Sequence, residues 1–193
     1  VQRKRDEDLL AAHMAGDPEA FETLVSRYMR ELYAFLSRFV GNATAAEDII
    51  QDTFVQVHLA ASSFDPARAF KPWLYTIAAN KARDYMRARG RRQEYSLDRT
   101  GPDEDGPAPA KLLGSDQTSE PEQAESRDER AAVREVVNRM PEHLRLILVL
   151  GYFQQLPYAE IAEVLEIPVG TVKSRLHAAV QYFGRLWKNR AEI

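Results

Sequence analysis

The side chains in this sequence best suited to chemistry are cations, hydroxyls and an amide, and what they can do is grip a polyanion. One set runs from Thr171 to His177: Thr171, Lys173, Ser174, Arg175 and His177 lie on the polar side of one short segment. An arginine fork matches the edge of a guanine and a lysine is a point charge for a phosphate, so Arg175 is the candidate base reader and Lys173 the phosphate contact. The second set lies in residues 68–92, where eight basic residues stand against one acidic. A helix with one face buried and the other cationic suits a nucleic-acid backbone, and an aromatic or amide side chain near an unstacked base can hold it. No catalytic set competes with these. A phosphate-binding glycine loop, a nucleophile elbow and paired helical histidines are all missing. The four histidines (His13, His58, His143, His177) are scattered along the chain without metal-ligand spacing. Cysteine is absent, which excludes disulfides and thiolate chemistry. We therefore expect no enzyme, no metal, no cofactor and no small-molecule substrate.

The elements that must carry these residues are helices. In Tyr158–His177, Ile161, Ala162 and Leu165 form a short apolar face, and Ala162 is small where a second helix must cross. Ile167 plugs the turn, Pro168 precedes the second helix, and Val172 and Leu176 anchor it, which is a helix-turn-helix with a basic recognition helix. Glu166 stands where many such turns have glycine; a left-handed backbone there costs about 1–2 kcal/mol. Upstream, Asp17-Pro18 starts a long amphipathic helix that Gly41-Asn42 stops. Thr44 is the expected cap of the next helix, with Glu47 completing a capping box, and that helix runs to about Ala61. Asp65-Pro66 marks a turn. A third long helix, with Phe70, Trp73, Leu74 and Ile77 inward, is expected to end near Gly90. Phe70, Trp73 and Phe54 are read as core residues, Asp84 as the partner of a nearby arginine, and Arg3 to Asp8 as a frayed tail.

Residues 95–127 break the helical pattern with glycine, proline and acidic residues, too few of them apolar to offset ordering. The expected fold class is all-α: two small helical domains, 1–94 and 128–193, joined by a flexible acidic linker over 95–127, with the helix-turn-helix in the second. The formal net charge of −3 is uninformative, because residues 93–129 hold eleven acidic residues against three basic ones and separate two positive segments. No apolar run approaches the ~20 residues a membrane span requires, and the start does not read as a signal peptide, so a cytoplasmic protein is expected.

Three motifs occur in a fixed order: Glu47-Asp48-Ile-Ile-Gln51-Asp-Thr-Phe54; then Phe70, Trp73-Leu74, Ile77-Ala78, Asn80, Asp84 and Arg87; then the helix-turn-helix. In this the chain resembles the extracytoplasmic-function (ECF) sigma factors of the sigma-70 superfamily, over about residues 9–92 and 128–187. The resemblance implies an RNA polymerase specificity subunit that directs core polymerase to promoters and assists their melting. It implies that Glu47, Asp48, Gln51 and Phe54 lie on the helix that docks on core polymerase, whose beta-prime clamp and beta flap are the expected contacts. It implies that the loop from Ser62 to Lys71, with Asn80 behind it, captures a flipped base of the minus-ten element. Arg68, Lys71, Lys81, Arg87, Arg91 and Arg92 are then the other minus-ten DNA contacts, while Thr171, Lys173, Ser174, Arg175 and His177 enter the major groove at the minus-thirty-five element. The family further implies an anti-sigma factor, which would hold the protein closed or at the inner membrane. A stand-alone helix-turn-helix regulator, a nucleic-acid-processing enzyme and a helical adaptor are the alternatives.

Overall fold

Two of the long helices begin at a residue whose side chain caps them. A computed structural model describes residues 4–97 and 120–190, and every regular element in them is helical. The all-α expectation holds. Helix α1 (Asp6–Met14) is short and buries Leu9 and Leu10. It is followed by α2 (Pro18–Val40), whose Asp17 cap accepts from the Glu19 and Ala20 N–H groups at 3.0 and 3.3 Å. Leu24, Tyr28, Leu32, Phe35, Leu36 and Phe39 form its buried stripe, and Gly41 ends it at φ 76°, a left-handed conformation natural to glycine.

Helix α3 (Ala43–Ala60) starts earlier than the sequence suggested. Its cap is Asn42, whose Oδ1 accepts from the Ala45 N–H at 2.9 Å. Asn42 is the first extended residue after the left-handed glycine, so the helix is capped before Thr44 is reached, and Thr44 and Glu47 are simply exposed. A 3₁₀ turn (Ala61–Ser63) leads to α4 (Phe70–Leu97). This helix runs through Gly90, its expected end. A glycine inside a helix costs only about 1 kcal/mol, and no proline follows it closely.

The second half comprises α5 (Glu120–Asn138), α6 (Glu142–Leu148), a π-helical turn (Val149–Phe153), α7 (Tyr158–Leu165) and α8 (Val169–Asn189). Of the expected linker, residues 95–97 continue α4 and residues 120–127 belong to α5; residues 98–119 lie outside the described residues.

The two halves pack on each other through one continuous core. α2 lies against α5 and the π turn, and α4 lies against α7. Arg145 ties the seam: its guanidinium donates to the carbonyls of Phe39 at 3.1 Å, Asn138 at 2.8 Å and Met140 at 3.0 Å. A cation beside carbonyls at helix C-terminal ends is electrostatically favoured. Arg38 stacks over Phe153 at 5.2 Å. Gly41 is required twice over, because a Cβ there would meet Asn138 Oδ1 at 2.6 Å.

One expectation fails near the N-terminus. Arg3 to Asp8 do not form a frayed tail as a whole: from Asp6 the chain is helical, and Asp6 binds Arg27 and Tyr28 of α2. The histidines are scattered in sequence but not all in space. His13 Nε2 lies 2.9 Å from His58 Nδ1, with His13 stacked on Phe21 at 4.4 Å.

Candidate nucleic-acid interface

The helix-turn-helix is built on a turn that the sequence makes expensive. Helix α7 ends at Glu166, which adopts φ 53°, ψ 44°, the left-handed conformation expected of that position. The Ile167 N–H then reaches back to the Ala162 carbonyl at 3.0 Å, closing the helix end. Pro168 starts α8, and the Thr171 and Val172 N–H groups bond to its carbonyl. Ile161 and Val172 are fully buried, and Ala162, Leu165, Ile167 and Leu176 partly so. Val164 was missed and is buried as deeply as Ile161; its place three residues after Ile161 was the available signal. Leu176 packs on Gly151, where even a methyl group would come within 3.1 Å.

This packing leaves the polar edge of α8 open. Lys173, Ser174, Arg175 and His177 are exposed and Thr171 is half-buried. The Ser174 hydroxyl donates to the Thr171 carbonyl at 3.1 Å, and His177 pairs with Gln181 at 2.9 Å.

The loop ahead of α4 is pinned by aromatics. Phe64 packs against Trp73 at 4.9 Å and Phe70 at 6.1 Å, so Phe70 is core and Trp73 half-buried in the same cluster. Asp65 shapes the turn by accepting from the Ala67 N–H at 2.9 Å. The polar residues around this cluster are engaged within the protein. Arg68 faces Glu163 of α7 at 3.9 Å. Lys71 pairs with Glu31 at 2.8 Å and lies over the Tyr75 ring. Asn80 is exposed and its Oδ1 accepts from Arg83 at 3.2 Å. Arg83, which the sequence reading passed over, pairs with Glu142 of α6 at 3.6 Å. Arg87 pairs with Asp84, as expected of that aspartate. Lys81 is half-buried and Arg91 exposed. Arg92 belongs to α4, and its side chain lies outside the described residues.

Glu142 and Glu163 thus bring carboxylates of the second half onto Arg83 of α4 and onto Arg68 in the loop ahead of it. Exposed pairs of this kind are worth about 0–1 kcal/mol each, so they hold the surfaces in register without locking them.

On α3 the candidates divide. Glu47, Asp48 and Gln51 are exposed, but Phe54 is only 7% exposed and meets Phe21 edge-on at 6.3 Å. Its ring supports the helix from beneath and does not join the outer face. Val55 and Leu59 do join it, at 57% and 68% exposure. Helical spacing from Asp48 and Gln51 was the signal that could have found them.

Comparison with known proteins gives these parts their family. The model for Sigma-70 region 2 matches residues 24–92, and that for Sigma-70, region 4 matches residues 130–182. The chain is 37% identical to the RNA polymerase sigma-H factor of Pseudomonas aeruginosa, over 93% of this chain and 92% of that one. It is 34% identical to the ECF RNA polymerase sigma factor SigW of Bacillus subtilis, over 84% and 86%. Among solved structures it resembles CnrH in complex with the cytosolic domain of CnrY (27% identity, TM-score 0.68, 95% and 97% coverage). It also resembles the sigma factor RpoE in complex with the anti-sigma factor NepR from Bartonella quintana (25%, TM-score 0.66, 87% and 96%). A helical bundle whose last helix is rich in basic residues, followed by a helix-turn-helix unit, is the arrangement of sigma-70 regions 2 and 4. The chain belongs to the RNA polymerase sigma factors of the ECF type. Members of this family direct core polymerase to specific promoters and assist their melting to initiate transcription.

Proposed function

We propose that the two halves divide the promoter between them: residues 1–94 engage core polymerase and the minus-ten element, residues 128–193 engage the minus-thirty-five element, and residues 95–127 set the reach between them. The protein makes and breaks no covalent bond; its free-energy contribution comes from captured bases that offset the few kcal/mol of unstacking. In this reading Glu47, Asp48 and Gln51, joined by Val55 and Leu59, form the face of α3 that meets the beta-prime clamp, and the second half meets the beta flap. Arg68, Lys71, Asn80, Lys81, Arg87, Arg91 and Arg92 hold the minus-ten strand. Thr171, Lys173, Ser174, Arg175 and His177 read duplex upstream.

The observation that carries this reading is the asymmetry of the packed halves. Glu142 of α6 pairs with Arg83 of α4 and Glu163 of α7 with Arg68 in the loop ahead of it, while the polar edge of α8 stays open. The packed form is the resting state, and an anti-sigma factor is the partner that holds it, in the cytoplasm or at the inner membrane. Of the two structurally similar proteins, the sigma factor RpoE was solved with the anti-sigma factor NepR, and CnrH with the cytosolic domain of CnrY. No helix among the described residues is long and apolar enough to cross a membrane.

The deciding experiment is transcription by purified core polymerase from a randomised promoter library, with and without this protein. New start sites in its presence are expected. Their absence, together with failure to bind core, removes the proposal.

A further inference from the structure

Helix α1 precedes the segment matched by the region 2 model, and its first turn carries two consecutive carboxylates that reach different helices. Asp6 turns to α2, where Tyr28 Oη donates to it at 2.5 Å and Arg27 pairs with it. Glu7 turns to α4: its Oε1 accepts from the backbone N–H of Phe70 at 2.9 Å. Phe70 is the first residue of that helix.

The start of α4 has little capping of its own. Ala69 precedes it and has no polar side chain, and Pro72 in the first turn has no N–H to satisfy. A carboxylate placed there supplies the missing acceptor and also faces the positive end of the helix dipole. Burial pushes the Glu7 carboxyl up, but the bonds from Phe70, from its own backbone N–H and from Arg5 outweigh this and hold it below its ordinary value. The acceptor is therefore ionised at neutral pH.

We propose that Glu7 is a positioning residue for strand capture: from α1 it caps α4 and so fixes the angle at which the loop of residues 61–69 meets that helix. Arg68 and Lys71 flank the capped peptide, and the Phe64 plug packs on Phe70 and Trp73 just inside it. Loosening this first turn shifts both cations and the aromatic seat together. The inference rests on the proposed role of residues 62–71 and Asn80 in holding the minus-ten strand.

The test uses the full chain assembled with core polymerase, on a promoter that the wild-type holoenzyme selects from a randomised library. Strand opening is read by permanganate reactivity of unpaired thymines. Core affinity, upstream-duplex affinity and amide exchange at Phe70 are measured alongside. Glu7→Ala should accelerate exchange at Phe70 and lower opening roughly five- to tenfold, the worth of one helix cap, with core and upstream affinities unchanged. Glu7→Gln keeps an acceptor oxygen and should restore most of the opening. Should Glu7→Ala prove too unstable to assay, Glu7→Asp, one methylene shorter, should show the same loss relative to Glu7→Gln. Opening by Glu7→Ala or Glu7→Asp at the wild-type level would overturn the role of Glu7 alone. Equal loss in all variants, core affinity included, would reduce it to general stability and overturn it too. Failure of the wild-type holoenzyme to select any promoter would instead bring down the functional reading beneath it.

Discussion

Glu166 shows how a single residue can be both legible and out of place. The sequence marked a turn that favours glycine, and the structure puts glutamate there in the left-handed conformation. Glu166→Gly should therefore stabilise the protein by about 1 kcal/mol, the relief of backbone strain less the extra freedom glycine has when unfolded. A urea titration of both proteins checks this, and an unchanged midpoint would count against strain at that position. The His13–His58 pair was illegible, because 45 residues separate two side chains that touch only once α1 and α3 are folded. Burial, with the charge of His58 second, lowers the His13 pKa from its ordinary value. The unfolded chain then takes up this proton more readily than the folded one. The stability is fully present above the unfolded value of about 6.5 and is lost as pH falls through the window below it. The melting temperature should drop between about pH 7 and pH 5, and His13→Gln should flatten that drop.

At the level of elements, periodicity identified the long helices and the helix-turn-helix well, but not their ends. Thr44 was a sound capping signal that Asn42 pre-empted, and Gly90 a sound stop signal that neighbouring helix-compatible residues outvoted. The outer face of α3 was half legible: its polar members stood out, whereas Val55 and Leu59 went unmarked, because an apolar side chain does not declare which face it joins and α3 buries Ile50, Phe54 and Val57 instead. In the proposed reading these two apolar residues are the anchors for core polymerase. Leu59→Asp should then weaken core association at least tenfold without lowering the melting temperature, since 68% of that residue is already in water. On α8, Arg175→Ala should cost about 1–3 kcal/mol of upstream binding and relax its sequence preference. Lys173→Ala should weaken all sequences alike and reduce the salt slope by about one. Both variants should bind core normally; parallel loss of core binding would contradict the division of labour.

For the whole molecule, the contact between the halves was the least legible feature, because no local pattern announces that α7 will lie on α4. Few specific bonds cross it: Arg145 reaches the Phe39 carbonyl of α2 while its bonds to the Asn138 and Met140 carbonyls hold it in place within the second half. Arg145→Met should free the halves and enlarge the radius of gyration seen by X-ray scattering, while each half keeps its helical content. A scattering curve identical to wild type would show that the shared apolar core suffices.

One feature of that contact bears on the order of events at a promoter. The helix lying over α4 is α7, the first helix of the same unit whose second helix is proposed to read duplex. A molecule in this form can land on double-stranded DNA before it is able to hold a separated strand. In the proposed reading α7 and α8 move as one unit, so seating α8 in the groove and lifting α7 from α4 are expected as consecutive steps. A promoter with a poor upstream half would fail because the strand-holding helix stays sheathed, even where the protein remains nearby on the DNA.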